Sequence, residues 1–175
     1  MTDTGLLILR VVVGLLIAGH GVQKVSHRLG GNGLAGGTEE FRHDGFAGGR
    51  LTALAAGAGQ IGSGLFLALG ALIPLAAMVA MGVMTVAITV KRPHGLWVQD
   101  DGYEYPLVLV VTAGSLALTG PGRWSADHAV GLTGWPLWLS LACAALGPAS
   151  GLLTRAVLHR PPTAEGVAAG ARTAG

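Results

Sequence analysis

The sequence predicts an all-α protein, a transmembrane bundle of four helices with a fifth membrane-spanning helix after it. Hydrophobic residues make up 51% of the chain and charged residues only 11%, whereas a typical globular domain has roughly 25% charged residues. Apolar runs recur at lengths close to the roughly 20 residues that cross a bilayer as a helix. Because so few charges cannot cover a water-facing surface, we expect much of the surface to contact lipid.

Residues 6–25 form the first predicted span, an apolar run that would rise about 30 Å as a helix. Arg10 lies about one turn inside it, and its guanidinium is expected to reach the lipid head groups. His20, Gln23 and Lys24 near the other end share one helix face. Polar groups in a membrane helix face other helices, water or a ligand, so these three are candidate ligand-binding residues. For His20, a hydrogen bond to a neighbouring helix is an equal alternative.

The loop at 26–50 contains a glycine-rich piece at 30–33. That piece lacks the Lys-Ser/Thr ending and the preceding strand of a phosphate loop, so we reject a nucleotide site. Thr38 is predicted to cap a short helix at the membrane interface, with Glu39 and Glu40 in its first turn, that runs through Phe41 to Phe46.

The apolar stretch at 51–90 is too long for one span, and the sequence around Gly70 and Pro74 divides it into helices at 51–71 and 74–90. Small residues recur every four positions in the first of these and predict close helix packing. Gln60 is its one strongly polar side chain and joins the candidate ligand-binding residues.

The loop at 91–105 ends in Tyr103, Glu104 and Tyr105. One interpretation is an aromatic belt at the membrane–water interface. The other is that Glu104 enters the bundle and pairs with Lys24 or His20, which makes all three loop residues candidates for the same site.

Residues 106–119 are a short fourth span, and 135–153 are long enough for a fifth. The predicted organisation is a membrane domain at 1–128, the fifth span within 129–154 and a loose tail at 155–175. With five spans, most basic residues fall on one side, namely Lys24, Arg28, Arg42, Arg50, Lys91, Arg92, Arg155, Arg160 and Arg172. This asymmetry predicts an N-terminus outside and a tail in the cytoplasm. We expect a multi-pass protein of the plasma membrane.

Five short motifs between spans of this size resemble the DoxX family of small membrane proteins over residues 6–128. They are His-Gly-Val-Gln-Lys at 20–24, the glycine-rich loop at 30–37, Leu-Ala-Leu-Gly at 67–70, Gly-Tyr-Glu-Tyr-Pro at 102–106 and Gly-Pro-Gly-Arg-Trp-Ser at 120–125. The resemblance implies a four-helix bundle and, since some members are subunits of a thiosulfate:quinone oxidoreductase, a quinone-linked redox role. The family often carries a glutamate near position 60, where this chain has Gln60, and the segment after Asp127 is an addition.

Three functions from different classes are consistent with the sequence. The first is a membrane subunit of a redox complex that contacts quinone through the polar group of His20, Gln23, Lys24, Gln60 and Glu104. No haem pair, flavin fingerprint or metal-ligand cluster is visible, and the chain has one cysteine, so redox work needs a partner protein or a diffusible cofactor. The second is a small-molecule carrier, for which the small size and the single polar patch argue for a homo-oligomer. The third is a non-catalytic anchor. The scattered charge predicts no nucleic-acid partner.

Overall fold

The computed structural model describes residues 1–132 and 134–160, and all the regular elements in these ranges are helices. The order is α1 (Thr2–Val25), α2 (Gly33–His43), α3 (Arg50–Leu69), α4 (Ile73–Lys91), α5 (Glu104–Thr119), α6 (Ala126–Ala129) and α7 (Leu137–Leu158). Two short 3-10 turns, Arg92–His94 and Val98–Asp100, connect α4 to α5. The predicted all-α bundle is confirmed.

Four of the described helices are long and apolar enough to cross a membrane: α1, α3, α7, and α4 together with the turn that follows it. The stretch that was predicted as a fifth span is a helix, α7, which is long and apolar enough to cross a membrane and continues to Leu158 rather than ending at 153. Helix α5 is apolar but has 16 residues, a length of roughly 24 Å. Positions 161–175 of the predicted tail lie outside the described residues.

Helix α4 is the centre of the bundle, because α3, α5 and α7 all pack against it, while α1 packs mainly on α3. Ile17, Leu67, Met81 and Leu116 come from four different helices and belong to one buried cluster. Large apolar side chains on the outer faces stay exposed along α1, α3, α5 and α7, which suits contact with lipid rather than water.

Two glycine pairs bring α1 and α3 into backbone contact. A Cβ atom on Gly14 would lie 2.4 Å from the carbonyl oxygen of Gly64, and one on Gly21 would lie 2.6 Å from that of Gly57. Only glycine fits at such distances. The prediction of close packing is thus correct for α1 and α3, and a Cβ atom on Gly59 of α3 would contact Val79 and Val83 of α4.

Arg10 does not reach the lipid head groups as predicted. Its side chain is 2% exposed, and its Nη1 donates to the carbonyl of Pro121 in the turn after α5. The turn covers the end of the bundle opposite α2, so the guanidinium finds a partner inside the protein and has no need to extend outward.

Asp127 fixes the start of α4. Its carboxylate accepts hydrogen bonds from the backbone N–H groups of Leu72 and Ile73 at 2.8 and 3.2 Å, and from the indole N–H of Trp135 at 3.0 Å. A buried carboxylate at this position satisfies otherwise unpaired N–H groups and interacts favourably with the helix dipole.

Helix α2 begins earlier than predicted. Thr38 is not its cap but lies in its middle, where its hydroxyl donates to the carbonyl of Leu34 at 2.7 Å. Tertiary packing overrides the low helix propensity of the glycines, because a Cβ atom on Gly37 would lie 2.5 Å from the carbonyl oxygen of Lys24. The glycine-rich piece therefore lets α2 lie directly against the end of α1.

Candidate functional site

A cavity of about 360 Å³ lies at the end of the bundle where α2 packs. We call it the chamber. Helix α4 forms its floor, α3 and α7 form its side walls, and α2 with the turn that follows it closes one end. Phe41 and Phe46 from that end meet edge to face, with ring centroids 5.8 Å apart. The interior is mostly apolar.

The chamber reaches deep into the bundle and stays open on one side. Its floor extends along α4 from Lys91 to Met78, a distance of roughly 20 Å on a helix. Val79 on the floor is 41% exposed, so the gap between α3 and α7 is not filled by protein. Because both flanking helices are candidate membrane spans, this gap faces the region that lipid would occupy.

Gln60 places a polar group in this apolar space. It projects from α3 into the chamber and is 3% exposed. Its Oε1 has no hydrogen-bond partner among the described residues. A buried acceptor without a partner costs about 1–3 kcal/mol, so the amide is a group for which a ligand could supply the missing bond.

An ion pair separates the chamber from a second, polar cavity. Lys24 Nζ lies 2.9 Å from Glu40 Oε1 and 5.1 Å from the centre of the Phe41 ring. Both charged residues line the chamber and also a polar cleft of about 330 Å³ between the end of α1 and the glycine-rich part of α2. The Lys24 side chain is 21% exposed and that of Glu40 56%, so this pair is weakly held and can open.

His20 and Gln23 line the polar cleft, not the chamber. His20 Nε2 lies 3.1 Å from the hydroxyl of Tyr105, and the two rings are edge to face with centroids 5.2 Å apart. Gln23 donates to the carbonyl of Leu29 at 2.8 Å. The histidine therefore joins α1 to α5, and the glutamine holds the loop after α1.

A family model described as DoxX matches residues 5–92, half of the chain. The chain belongs to the DoxX family. The matched segment contains α1 to α4, so the resemblance seen in the sequence is confirmed there. Helix α5, the turn at 120–125 and α7 lie beyond it. In this DoxX protein, α4 and α3, which form the floor and one side wall of the chamber, thus lie inside the matched segment. The other side wall, α7, lies outside it.

One curated relative supplies a further comparison. A stretch of 80 residues is 35% identical to an uncharacterized transporter of Cutibacterium acnes. That stretch is 45% of this chain and 15% of the transporter, so this chain corresponds to a small part of the relative. No solved structure matches the chain.

The structure divides the predicted site residues of this DoxX protein into groups. Lys24 and Gln60 line the chamber, and Lys24 also lines the cleft with His20 and Gln23. Neither cavity is lined by the three loop residues Tyr103, Glu104 and Tyr105, although the last of them contacts His20.

The predicted pairing of Glu104 with Lys24 or His20 is wrong. Glu104 is the first residue of α5, and its Oε2 accepts from the backbone N–H of Val98 in the preceding loop at 3.1 Å. Lys24 pairs with Glu40 instead. The acid is needed locally to close the loop before α5, and α2 supplies a nearer carboxylate for the lysine. Both large loops do lie at the same end of the bundle, as predicted.

Sequence reasoning missed the side chains that close the chamber. Glu40, Phe41 and Phe46 come from the loop region that was assigned to the interface, and α7 adds residues at i, i+4 and i+8 on one face, namely Ser150, Thr154 and Leu158. The two hydroxyl residues four positions apart on α7, Ser150 and Thr154, were the available signal. Within 1–132 and 134–160, no three His, Cys, Asp or Glu side chains are grouped so as to hold a metal ion.

Proposed function

We propose that this DoxX protein is a quinone-binding membrane subunit of a redox complex. The observation that carries the proposal is the buried amide of Gln60, whose oxygen has no hydrogen-bond partner among the described residues, on the wall of a long apolar chamber open toward the bilayer. An apolar slot with few polar groups that fix orientation is the usual design of a site for a small lipophilic molecule.

The residues of the chamber fit a quinone. The Gln60 amide has N–H groups that donate to a carbonyl and an oxygen that accepts from a hydroxyl, so it can hold either the oxidised or the reduced ring. Phe41 and Phe46 are buried and give the closed end two apolar rings. When bound, a quinone supplies two-electron, two-proton carrier chemistry.

In this proposal, the ion pair of Lys24 and Glu40 at the boundary of the chamber exchanges protons with the ligand. Gln60 cannot take up a proton, whereas Glu40 can, and Glu40 lies between the chamber and the polar cleft. Opening of its contact with Lys24 would expose the carboxylate to both cavities. Electrons would leave through a partner protein, since the chain's single cysteine cannot build an iron–sulfur site.

The chamber end is proposed to face the cytoplasm, with the N-terminus outside the plasma membrane. Lys24, Arg42, Arg50, Lys91 and Arg155 all belong to the helix ends and loops at the chamber end, in agreement with the positive-inside rule. A cysteine introduced at Arg42 in the Cys143→Ala background should react with an impermeant maleimide only after the membrane is opened. Reaction in intact cells would reverse the orientation.

The direct test is to measure bound quinone. The protein is purified from its native membrane in mild detergent, and quinone per protein is determined by liquid chromatography and mass spectrometry. We expect near-stoichiometric quinone for the native chain and at least a tenfold lower ratio for Gln60→Leu, while Gln99→Leu, in an exposed loop, keeps the native ratio. No quinone above the detergent background in the native protein would reject the proposal.

A transport role is the second candidate, because the Cutibacterium acnes relative is named an uncharacterized transporter. It predicts uptake of a solute into liposomes that contain this chain alone. The anchor alternative predicts instead a co-purifying enzyme whose turnover is unchanged by Gln60→Leu. Absence of uptake over a broad solute panel would count against transport and leave the quinone proposal unaffected.

A further inference from the structure

The C-terminal helix contributes more to the chamber than a membrane anchor needs to. Ser150, Thr154 and Leu158 project from one face of α7 into the chamber, while the neighbouring Leu153 is 64% exposed on the outer face. Ser150 and Thr154 on the inner face thus have shorter and more polar side chains than Leu153 on the outer face. Helix α7 lies outside the segment that matches the family model, so the family match does not extend to this wall.

Close contacts hold α7 at a fixed distance from the chamber floor. A Cβ atom on Gly151 would lie 2.4 Å from the carbonyl oxygen of Gly82, and one on Gly82 would lie 2.6 Å from the hydroxyl of Ser150. Arg155 Nη1 donates to the carbonyl of Thr89 at 3.2 Å, one of the last carbonyls of α4, which lack partners within the helix. The wall is therefore built against α4 along most of the chamber's length.

The end of α7 is also joined to the closed end of the chamber. The backbone N–H of Ala47 donates to the carbonyl of Leu158 at 2.8 Å, and that of Arg160 donates to the carbonyl of Gly45 at 2.6 Å. The rings of Phe46 and His159 meet edge to face at 5.5 Å. We call these contacts between 45–47 and 158–160 the clasp. Through it, the position of Phe46 depends on α7.

We infer that α7 is the specificity-determining wall of the chamber, and that the ligand is a lipophile with a chain which enters sideways from the bilayer between α3 and α7. The open side at Val79 leaves room for the chain and is level with Gln60, because a Cβ atom on the adjacent Gly59 would lie 3.8 Å from the Val79 side chain. The clasp closes the other end of the chamber, beside Phe46. The inference rests on the proposed function for the identity of the ring. The role of α7 holds for any lipophile that occupies the chamber.

The test compares two substitutions on adjacent positions of α7. Thr154→Phe places a ring inside the chamber, and Leu153→Phe places the same ring on the lipid-facing surface. The full-length proteins are purified identically, and every lipophile retained after extensive detergent washing is quantified by mass spectrometry. We expect Thr154→Phe to retain at least tenfold less lipophile, because the added ring takes up space in the chamber that the ligand would fill, and Leu153→Phe to retain the native amount.

A second pair and a second measurement keep the test decisive. If Thr154→Phe does not accumulate, Ser150→Leu replaces it, with Ala149→Leu as its exposed control. The melting temperature in lipid nanodiscs is also measured with and without 2-methyl-1,4-naphthoquinone. The native chain should be stabilised by this compound, and the chamber variant should not.

The outcomes separate this inference from the proposed function. A retained lipophile other than quinone that is lost in Thr154→Phe supports the role of α7 and rejects the quinone. Quinone retained equally by Thr154→Phe and Leu153→Phe overturns the role of α7 and leaves the quinone proposal standing. If the native chain retains no lipophile and shows no thermal shift, the inference is overturned.

Discussion

Replacing Gln60 by leucine should make the empty protein more stable and the loaded protein less stable. The amide oxygen is buried with no partner among the described residues, and an unmet acceptor of this kind costs about 1–3 kcal/mol. Leucine has a similar size and removes that cost. The same substitution removes the group that is proposed to hold the ligand.

The effect of Gln60→Leu on stability should change sign between the empty and the loaded protein, and both effects are large enough for an assay to resolve. The ligand-stripped variant should gain about 1–2 kcal/mol of unfolding free energy over the native chain. When ligand is present at a hundred times its dissociation constant, the native chain gains about 2.7 kcal/mol, and Gln60→Leu gains little. The two curves of stability against ligand concentration should therefore cross.

Thermal denaturation in detergent, followed by tryptophan fluorescence, measures both states. Gln99→Leu is the matched control, since Gln99 lies in an exposed loop and should change stability by no more than about 0.5 kcal/mol. If stripped Gln60→Leu is less stable than the native chain, the amide already has a partner inside the protein. The argument for a ligand at that position would then fail.

Three further predictions concern the packing of α3 on α1, the start of α4 and the loop before α5. Gly64→Ala should lose about 1–3 kcal/mol because its Cβ would collide with the backbone of α1, whereas Gly62→Ala, which has open space, should gain about 0.5–1 kcal/mol; thermal denaturation compares them. Asp127→Asn should lose roughly 1–3 kcal/mol by the same measurement, since it weakens charged hydrogen bonds at the start of α4. Asp101 has its pKa lowered chiefly by the hydrogen bond from Lys91, so the pair stabilises the fold above about pH 4 and loses that effect as the pH falls through the lowered pKa. Asp101→Asn should cost a few tenths of a kcal/mol at neutral pH, because the carboxylate is 68% exposed, and should flatten the stability profile below pH 4; an unchanged profile would contradict the pairing.

Hydropathy predicts this fold well because the bilayer imposes one solution on a long apolar segment. A spanning backbone must satisfy its own hydrogen bonds, so the runs that became α1, α3, α4 and α7 had to be helices of about that length. The break between α3 and α4 could equally be predicted, from Gly70 and Pro74. In the structure, Gly70 takes a left-handed conformation with φ of 70°, and Pro74 lies in the first turn of α4.

The side-chain partners were less predictable because they depend on which helix faces meet. Arg10 has two physically reasonable positions, and only the turn at Pro121 decides between them. Lys24 could have met any acid at its end of the bundle, and the glycines of α2 bring Glu40 nearest. Gln60 was identified as a polar outlier, but the chamber around it needs a wall from residues almost a hundred positions later.

Photoaffinity labelling in native membranes is the most direct test of the chamber as a quinone site. An azido-naphthoquinone with an isoprenoid chain is activated by light, and the labelled peptides are mapped by mass spectrometry. We predict labels on the chamber walls at 52–60 and 150–158, suppressed by an excess of unmodified quinone and absent from Gln60→Leu. Labels spread over the lipid-facing surfaces, unaffected by competitor and by the substitution, would contradict the account.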